Sequence, residues 1–574
     1  MILQALKDYY DRKAADPDSG IAPLGWEWKE IPFLFVINEG GQFVRMEDTR
    51  EIVGKKNRAK RYLVPQSVVR TRNPAAFTLW DKAEYAFPGV AKGTDADKKH
   101  TLFLDRLSQY ANEVPSVRAI LRFLTEHFDA VQIKDNDNWN EYVQTGAVAT
   151  FIIQNHENPV PCEESFVQAY NMHLSTQEGA PNGVCLVTGR RAIIARTHHK
   201  VVGVMGTDKN RGSLISFNWN AAESFGRTQS YNSPVGQEAE FAYTTALNTL
   251  LSKDSRQRIQ VGDATVVFWA SREAALENDF ADIFDEPPKD DPDRNTEAVE
   301  RLLLSVRTGA YLPDESNAKF YVLGLSPNAA RISVRFWHAG TIPEMSERFA
   351  DWFENLRIVH FDKQKEHLSL KALLRSLAPQ GDLEKLPPNL AGDVMRSILE
   401  GTPYPATLLS SALRRIKAEH DVTYERAKLI KAFLVRNKER KITMALDKTN
   451  SSVGYRLGRL FAVLENIQCE AAKPAKLNAT IRDKFYASAS ATPVAVFGNL
   501  VRLAGHHLSK LDSDRKGLRI WLEKQLEEII AGVATFPAHL PIEEQGMFAI
   551  GYYHQRMARK SEASVETATS ESSN

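Results

Sequence analysis

Apolar positions along this chain follow two rhythms, and the change between them falls near residue 360. Before it, short apolar runs bounded by turn residues dominate: 32–46 reads as two strand-like stretches around Gly40 and Gly41, a hairpin signal. Strand character recurs at 149–154, 184–187, 192–196, 213–217, 265–270, 319–325 and 331–337, with helical spacing between, as at 238–251 and 344–359. The pattern predicts an α+β region over residues 1–362, with mixed or antiparallel sheets and long loops. A polar, proline-punctuated stretch at 279–295 predicts a linker or exposed loop that could divide this region into two subdomains.

From Lys363 the strand signal fades and amphipathic helices succeed one another near 404–419, 423–436, 452–468, 477–489, 493–510, 515–531 and 543–558. In "SATPVAVFGNLVRLAGHHLSKL", Thr492 is placed to cap a helix whose first residue is Pro493. Residues 363–559 therefore predict an all-α helical bundle, and the apolar-poor stretch from Lys560, residues 560–574, a disordered tail.

At 574 residues the chain exceeds a single core and predicts two to four domains. The N-terminal "MILQALKDYYDRKAAD" has helical spacing among charges rather than the apolar core of a signal peptide, and no window approaches the roughly 18 apolar residues of a membrane span. The expectation is a cytoplasmic protein without membrane contact. Cys162, Cys185 and Cys469 lie too far apart in sequence for a local metal knuckle. The pairs His198-His199 and His506-His507 lack a Cys or carboxylate at ligand spacing, so no metal and no cofactor are expected.

Charge changes the picture. The net formal charge is only +1, yet between residues 411 and 520 there are 22 Lys or Arg against 10 Asp or Glu, a balance of +12. Residues 44–72 hold 9 against 3, and 271–300 hold 3 against 11. Such segregation is the electrostatic footprint of a nucleic-acid partner, although solvated helix faces are also lysine-rich.

Catalytic patterns are missing. Neither a G-x-x-x-x-G-K-[ST] loop nor a strand-to-helix G-x-G-x-x-G is present. "DNDNWNE" fails as a calcium loop because Asn140 and Gly146 stand where Gly and Glu are needed, and Asp512 with Asp514 reads as helix capping. The loop "GSLISFNWNAAESFGRTQSYNSP" holds amides (Asn218, Asn220, Gln229, Asn232) and rings (Phe217, Trp219, Phe225, Tyr231) with little charge. Amides suit base edges, and rings suit stacking or wedging, although alternating aromatics are also core material. Lys209 and Arg211 flank it as phosphate contacts. A second stretch, "KKNRAKRYLVPQSVVRTRNPAAF", offers Lys60, Arg61, Arg70 and Arg72 for phosphates beside Asn73 as a base reader.

Taken in order, "MILQALKDYYDR", "CLVTGRRAIIARTHHKVVGVMG" with the amide loop, "LGLSPNAARISVRFWHAGT", "GYRLGRLFAVLENIQ" and "FAIGYYHQRM" resemble the large subunit of the type I-C CRISPR surveillance complex, Cascade. The resemblance implies a non-enzymatic reader of target double-stranded DNA. It would recognise the protospacer-adjacent motif and promote strand separation and R-loop formation. Its implied partners are a guide-RNA ribonucleoprotein, the backbone, guide-5′-end-binding and small subunits, and a helicase-nuclease effector. Within that picture Asn73, Asn218, Gln229 and Asn232 are base readers or wedge, and Arg456, Arg459, Arg482, Lys484, Arg502 and Lys510 mark a strand path along the bundle. The resemblance also implies an internal start yielding the C-terminal helices alone. Met444 would give 444–574, about 130 residues. The rival readings are a nuclease with a dispersed site and a scaffold that meets only RNA or subunits.

Overall fold

In a computed structural model, which describes residues 2–53, 56–70, 73–90, 96–129, 133, 137–175, 182–207, 211–217, 219–309, 317–475, 477–511 and 515–571, the chain divides into two compact units. The first comprises residues 1–203, 207–253 and 328–332, the second 204–206, 254–327 and 333–574. The N-terminal region carries several small sheets and the C-terminal part is mostly helical, as the apolar rhythm predicts.

Strands of the first unit are β1 (Trp26–Glu30), β2 (Phe33–Ile37), β3 (Phe43–Asp48), β4 (Arg50–Val53), β5 (Lys56–Ala59), β6 (Arg61–Pro65), β7 (Trp80–Lys82), β8 (Val148–Ile153), β9 (Asn182–Val184), β10 (Arg191–Ile193), β11 (Val201–Val202) and β12 (Arg211–Gly212). Its helices are α1 (Ile2–Ala14), α2 (Ala83–Ala86), α3 (Ala96–Ser108), α4 (Pro115–Arg122), α5 (Asp137–Thr145), α6 (Glu164–Ser175) and α7 (Gln237–Leu250). Strand β2 has five apolar residues in succession and is buried throughout, as a strand covered on both faces must be. It pairs antiparallel with β3 and parallel with β8 in a sheet of order β3-β2-β8-β7. Phe33, Phe35 and Ile37 face one apolar core with Phe87, Tyr142 and Phe151, while Leu34 faces a second with Trp80 and Val64. The strand expected at 213–217 does not form. β12 ends at Gly212, β11 offers only two residues to pair with, and beyond Ser213, bridged to Arg331, the chain leaves the ladder.

In the second unit β13 (Arg258–Val261), β14 (Ala264–Ala270), β15 (Lys319–Asn328) and β16 (Arg331–Thr341) form one sheet in that order. Helices α8 (Ala275–Phe284), α9 (Arg294–Thr308), α10 (Ile342–Leu356), α11 (Leu370–Arg375), α12 (Leu390–Glu400) and α13 (Ala406–Glu419) come next. They are followed by α14 (Tyr424–Lys438), α15 (Val453–Ala472), α16 (Ile481–Ala491), α17 (Phe497–Leu508), α18 (Lys516–Ala531) and α19 (Ile542–Glu571). The sequence expectation of a loop at 279–295 is corrected: Phe280, Ile283 and Phe284 share one helical face and are buried, so only 285–293 connects helices. The expected boundary at 362 differs too. Val266 and Phe268 of β14 and Phe349 and Trp352 of α10 belong to the same buried cluster as Ile430, Phe461 and Phe548, which joins this sheet to the helices. Pro493 opens a separate 3-10 turn without a side-chain cap from Thr492, and α17 starts at Phe497. Helix α19 runs on through Glu571, past Lys560, because no Pro or Gly interrupts that stretch.

The centre of the helical part is the pair α15 and α19. A Cβ at Gly454 would collide with the Glu544 carbonyl oxygen, one at Gly458 with that of Phe548, and one at Gly551 with that of Tyr455. The backbones therefore touch, and the pair is parallel, since Gly454 near the start of α15 meets Glu544 near the start of α19 and Glu465 further along meets Tyr552. Side chains lock it: Arg459 Nε donates to Gln555 Oε1 at 3.0 Å, Tyr552 Oη to Glu465 Oε2 at 2.6 Å, and Tyr455 Oη lies 2.9 Å from His554 Nδ1. Burial pulls the His554 pKa down to about 3, so the ring stays neutral there. In an unstrained helix Gly→Ala stabilises by about 1 kcal/mol. Gly498→Ala on α17, where a new Cβ meets nothing within 4 Å, should show that gain in chemical denaturation. Gly458→Ala should reverse the sign and cost about 1–3 kcal/mol; equal gains at both positions would refute the close contact.

Candidate nucleic-acid interface

In the first unit, both segments singled out from the sequence are anchored to residues 194–199. Ile194 bridges Gly236, and Ala195 N–H donates to the Val235 carbonyl at 2.9 Å. Arg196 accepts the Ser230 N–H at 3.3 Å on its carbonyl and donates Nη1 to Gln229 Oε1 at 2.8 Å. Three residues on, the His199 N–H donates to Glu240 Oε1 at 2.7 Å, its Nδ1 lies 3.0 Å from Glu240 Oε2, and its Nε2 lies 2.8 Å from the Ser67 carbonyl. Residues 194–199 thus hold the amide loop on one side and the start of the segment that carries Asn73 on the other.

The amide loop is shaped by Asn232. Its Oδ1 accepts the Ser224 N–H at 2.9 Å, and its Nδ2 donates to the carbonyls of Arg227 at 2.8 Å and Gln229 at 2.9 Å. With three bonds made inside the loop, this side chain acts as a staple rather than an exposed reader. The stapled residues form a tight hairpin tip: Arg227 N–H donates to the Ser224 carbonyl at 3.0 Å, and Phe225 and Gly226 both have positive φ, +51° and +68°. That is the type I′ pattern, in which Gly fits the second central position and Asn or Asp usually the first. Phe225 instead adopts the left-handed region, at a cost of roughly 1–2 kcal/mol, and its ring is 97% exposed. Beside it Trp219 stands exposed under the Arg331 guanidinium, 4.3 Å from the ring centroid. Gln229 has φ +50° with its carbonyl oxygen held by Arg196, and Arg211 is exposed on β12. Asn218 and Lys209 lie outside the described residues.

Around Asn73 the sequence expectation divides. Asn73 is exposed, and Arg72 lies outside the described residues. Arg70, expected as a phosphate contact, is engaged inside the protein. Its Nη2 bonds both Asp81 oxygens at 2.6 and 2.5 Å, its Nε donates to the Ala75 carbonyl at 2.7 Å, and it lies between Phe77 and Tyr85, 3.9 and 3.8 Å from their centroids. Asp81 is fully buried and also accepts the Phe77 N–H, so the pair closes the loop that presents Asn73. Lys60 and Arg61 remain exposed over Tyr62 and Trp28, and among the described residues neither has a carboxylate partner.

The strand-path cations of the second unit divide similarly. Arg459 is buried and ion-paired to Glu528 at 2.8 Å. Arg456 donates Nε to the Asn450 carbonyl at 2.9 Å and Nη1 to that of Gly532, and Arg482 reaches Asp421 at 3.4 Å and Glu465 at 3.8 Å. These three hold helices together. Lys484, Arg502 and Lys510 are exposed on α16 and the α17 end, and Lys484 lines a cavity with Gln468, Thr480, Phe485 and His507. All three cysteines are free thiols, and among the described residues no three His, Cys, Asp or Glu gather as a metal site. No helix among them is long and apolar enough to cross a membrane.

Sequence reasoning passed over Asp81, Arg196 and Glu240, which organise this site; it weighed His199 only as a metal ligand and named Phe225 as one of four rings without singling out the turn. The one local signal was "SFGR", a Gly at the second centre of a tight turn. Arg70→Ala leaves a buried carboxylate unpaired and should lower the unfolding free energy by about 3–5 kcal/mol, whereas Lys60→Ala should change it by less than about 0.5 kcal/mol. Equal small effects in urea denaturation would return Arg70 to the phosphate contacts.

Comparison with known proteins fits this chemistry. No curated protein matches the chain. The family described as CRISPR-associated protein (Cas_Csd1) matches residues 6–560, so the match takes in both units and every segment of the candidate interface. On that extent, the chain belongs to the Csd1 family of CRISPR-associated proteins, the large-subunit type of type I-C Cascade.

Proposed function

We propose that this subunit reads the protospacer-adjacent motif in duplex DNA, starts strand separation for R-loop formation beside the guide-RNA ribonucleoprotein and its other subunits, and helps recruit the helicase-nuclease effector, without catalysing cleavage itself. The observation that carries the reading is Phe225: a fully presented ring on a turn whose backbone is held by Asn232 and whose neighbours are amides and cations. A wedge must keep its shape while bases part, and a stapled type I′ tip does so. Asn73 and Gln229 supply amide edges, and Lys60, Arg61 and Arg211 the phosphate contacts. In the helical part Lys484, Arg502 and Lys510 are exposed cations that can line a strand path, Arg502 with one bond to Asn499.

The assembled complex with Phe225→Ala should bind motif-bearing duplex within a few-fold of wild type, yet lose about 1–3 kcal/mol of strand opening, read by 2-aminopurine fluorescence next to the motif. Unchanged opening would remove Phe225 from the mechanism, and specific cutting of the same duplex by the purified subunit with Mg²⁺ would overturn the non-catalytic reading.

An internal start at Met444 belongs to the same proposal. Met444 lies in the helix-free connection 439–452, where its carbonyl accepts the Val359 N–H at 2.8 Å, so a chain begun there keeps α15 to α19 whole. Silencing this codon as a start should remove a small helical protein from purified complexes, and a persisting small band would place the start elsewhere.

A further inference from the structure

We infer that His199 is a proton-dependent positioning residue that couples the two DNA-facing segments of the first unit, so that motif recognition weakens when its imidazolium loses a proton. The inference rests on the motif-reading function proposed above and adds to it a control by pH.

Both ring nitrogens of His199 face acceptors: Nδ1 the Glu240 carboxylate at 3.0 Å and Nε2 the Ser67 carbonyl at 2.8 Å. A neutral imidazole has one N–H, so only the charged ring donates to both. The two contacts point to different parts of the interface. Ser67 leads, within three residues, to Arg70 and the loop that presents Asn73. Glu240 sits on α7, which follows the amide loop, while Arg196 of the same segment as His199 holds Gln229. Losing one donor therefore loosens one DNA-facing segment relative to the other.

Every charged or titratable group packed around the ring bears on the sign. Glu240 of α7 is almost fully buried, and Glu27 of β1, which accepts the Ser67 N–H at 3.2 Å, adds negative charge from the other side. His198 points elsewhere, with Nδ1 2.6 Å from the Tyr243 hydroxyl of α7, and burial lowers its pKa, so it stays neutral beside its neighbour. Gln66 Nε2, 3.4 Å from Nδ1, carries no charge. Burial alone would lower the His199 pKa too, but the bonds to Glu240, then its charge, the Ser67 carbonyl and Glu27 outweigh it and raise the pKa. A raised His pKa means that the strut is fully present below the ordinary value and is lost as pH rises through the folded one. Above that point Glu240 is left buried without its counterion.

The test is anisotropy of the assembled complex on motif-bearing and scrambled duplexes at constant salt, from about pH 5.5 to 8.5. Wild type should lose about tenfold in motif discrimination as pH rises across the window. His199→Gln should be weak and flat with pH, and His199→Arg, which keeps the charge and two donors, should discriminate at every pH. A melting curve for each variant separates positioning from failure to fold. Parallel pH profiles for wild type and His199→Gln would overturn the inference. Absence of discrimination by wild type at every pH would instead overturn the motif-reading function on which it rests.

Discussion

Contact between two backbones is the constraint on which the helical part depends. Helices normally stand 8–10 Å apart on their side chains. Where Gly454, Gly458 and Gly551 remove those side chains, α15 and α19 close until carbonyl oxygens fill the space a Cβ would need. Once the spacing is fixed, the polar partners along the seam have little freedom: Arg459 meets Gln555, and Glu465 meets Tyr552 and the Thr480 cap of α16. Tyr486 and Phe497 then pack their rings against Phe461 of the pair. The buried polar groups make the arrangement specific, because a shifted helix would leave each of them unpaired.

Periodicity made much of the fold legible. The apolar run 33–37 read as one strand of a hairpin and pairs with β3 as expected, while its central place beside β8 was not foreseen, and the helices from residue 404 on lie close to their expected places. What the sequence hid has physical reasons. The segment 279–284 looked like a linker because it opens the acidic, proline-punctuated stretch 279–295, yet three apolar residues at helical spacing suffice to bury one face. Residues 213–217 have strand propensity, but a strand also needs a partner edge, and β11 supplies two residues. For the candidate site, chemical type pointed to exposed segments but did not show which side chains the fold itself uses. Asn232 and Arg70 have the chemistry of readers and phosphate contacts, but both Asn232 Nδ2 donors and the Nε and Nη2 of Arg70 are spent inside the protein, and only the folded geometry shows which have been used.

The same holds for charge. A local balance of +12 between residues 411 and 520 counts side chains, whereas a polyanion responds to those that face solvent without a partner. Arg456, Arg459 and Arg482 are held by carbonyls or carboxylates within the helical part, so the field available to a strand comes from fewer positions, Lys484, Arg502 and Lys510 among them. Arginine's planar fork suits such joints, but the division is not by residue type: Arg502 stays exposed, while Lys428 and Lys431 of α14 are buried and reach internal carbonyls.

The backbone at Phe225 sets fold stability and function against each other at one residue. An asparagine there would ease the left-handed conformation and remove an exposed ring from water, giving a hairpin tip that folds better. Substitutions that relieve it therefore gain stability, and on the reading proposed above they give up the wedge. A left-handed backbone under a fully exposed ring is thus a residue that neither packing nor turn preference accounts for.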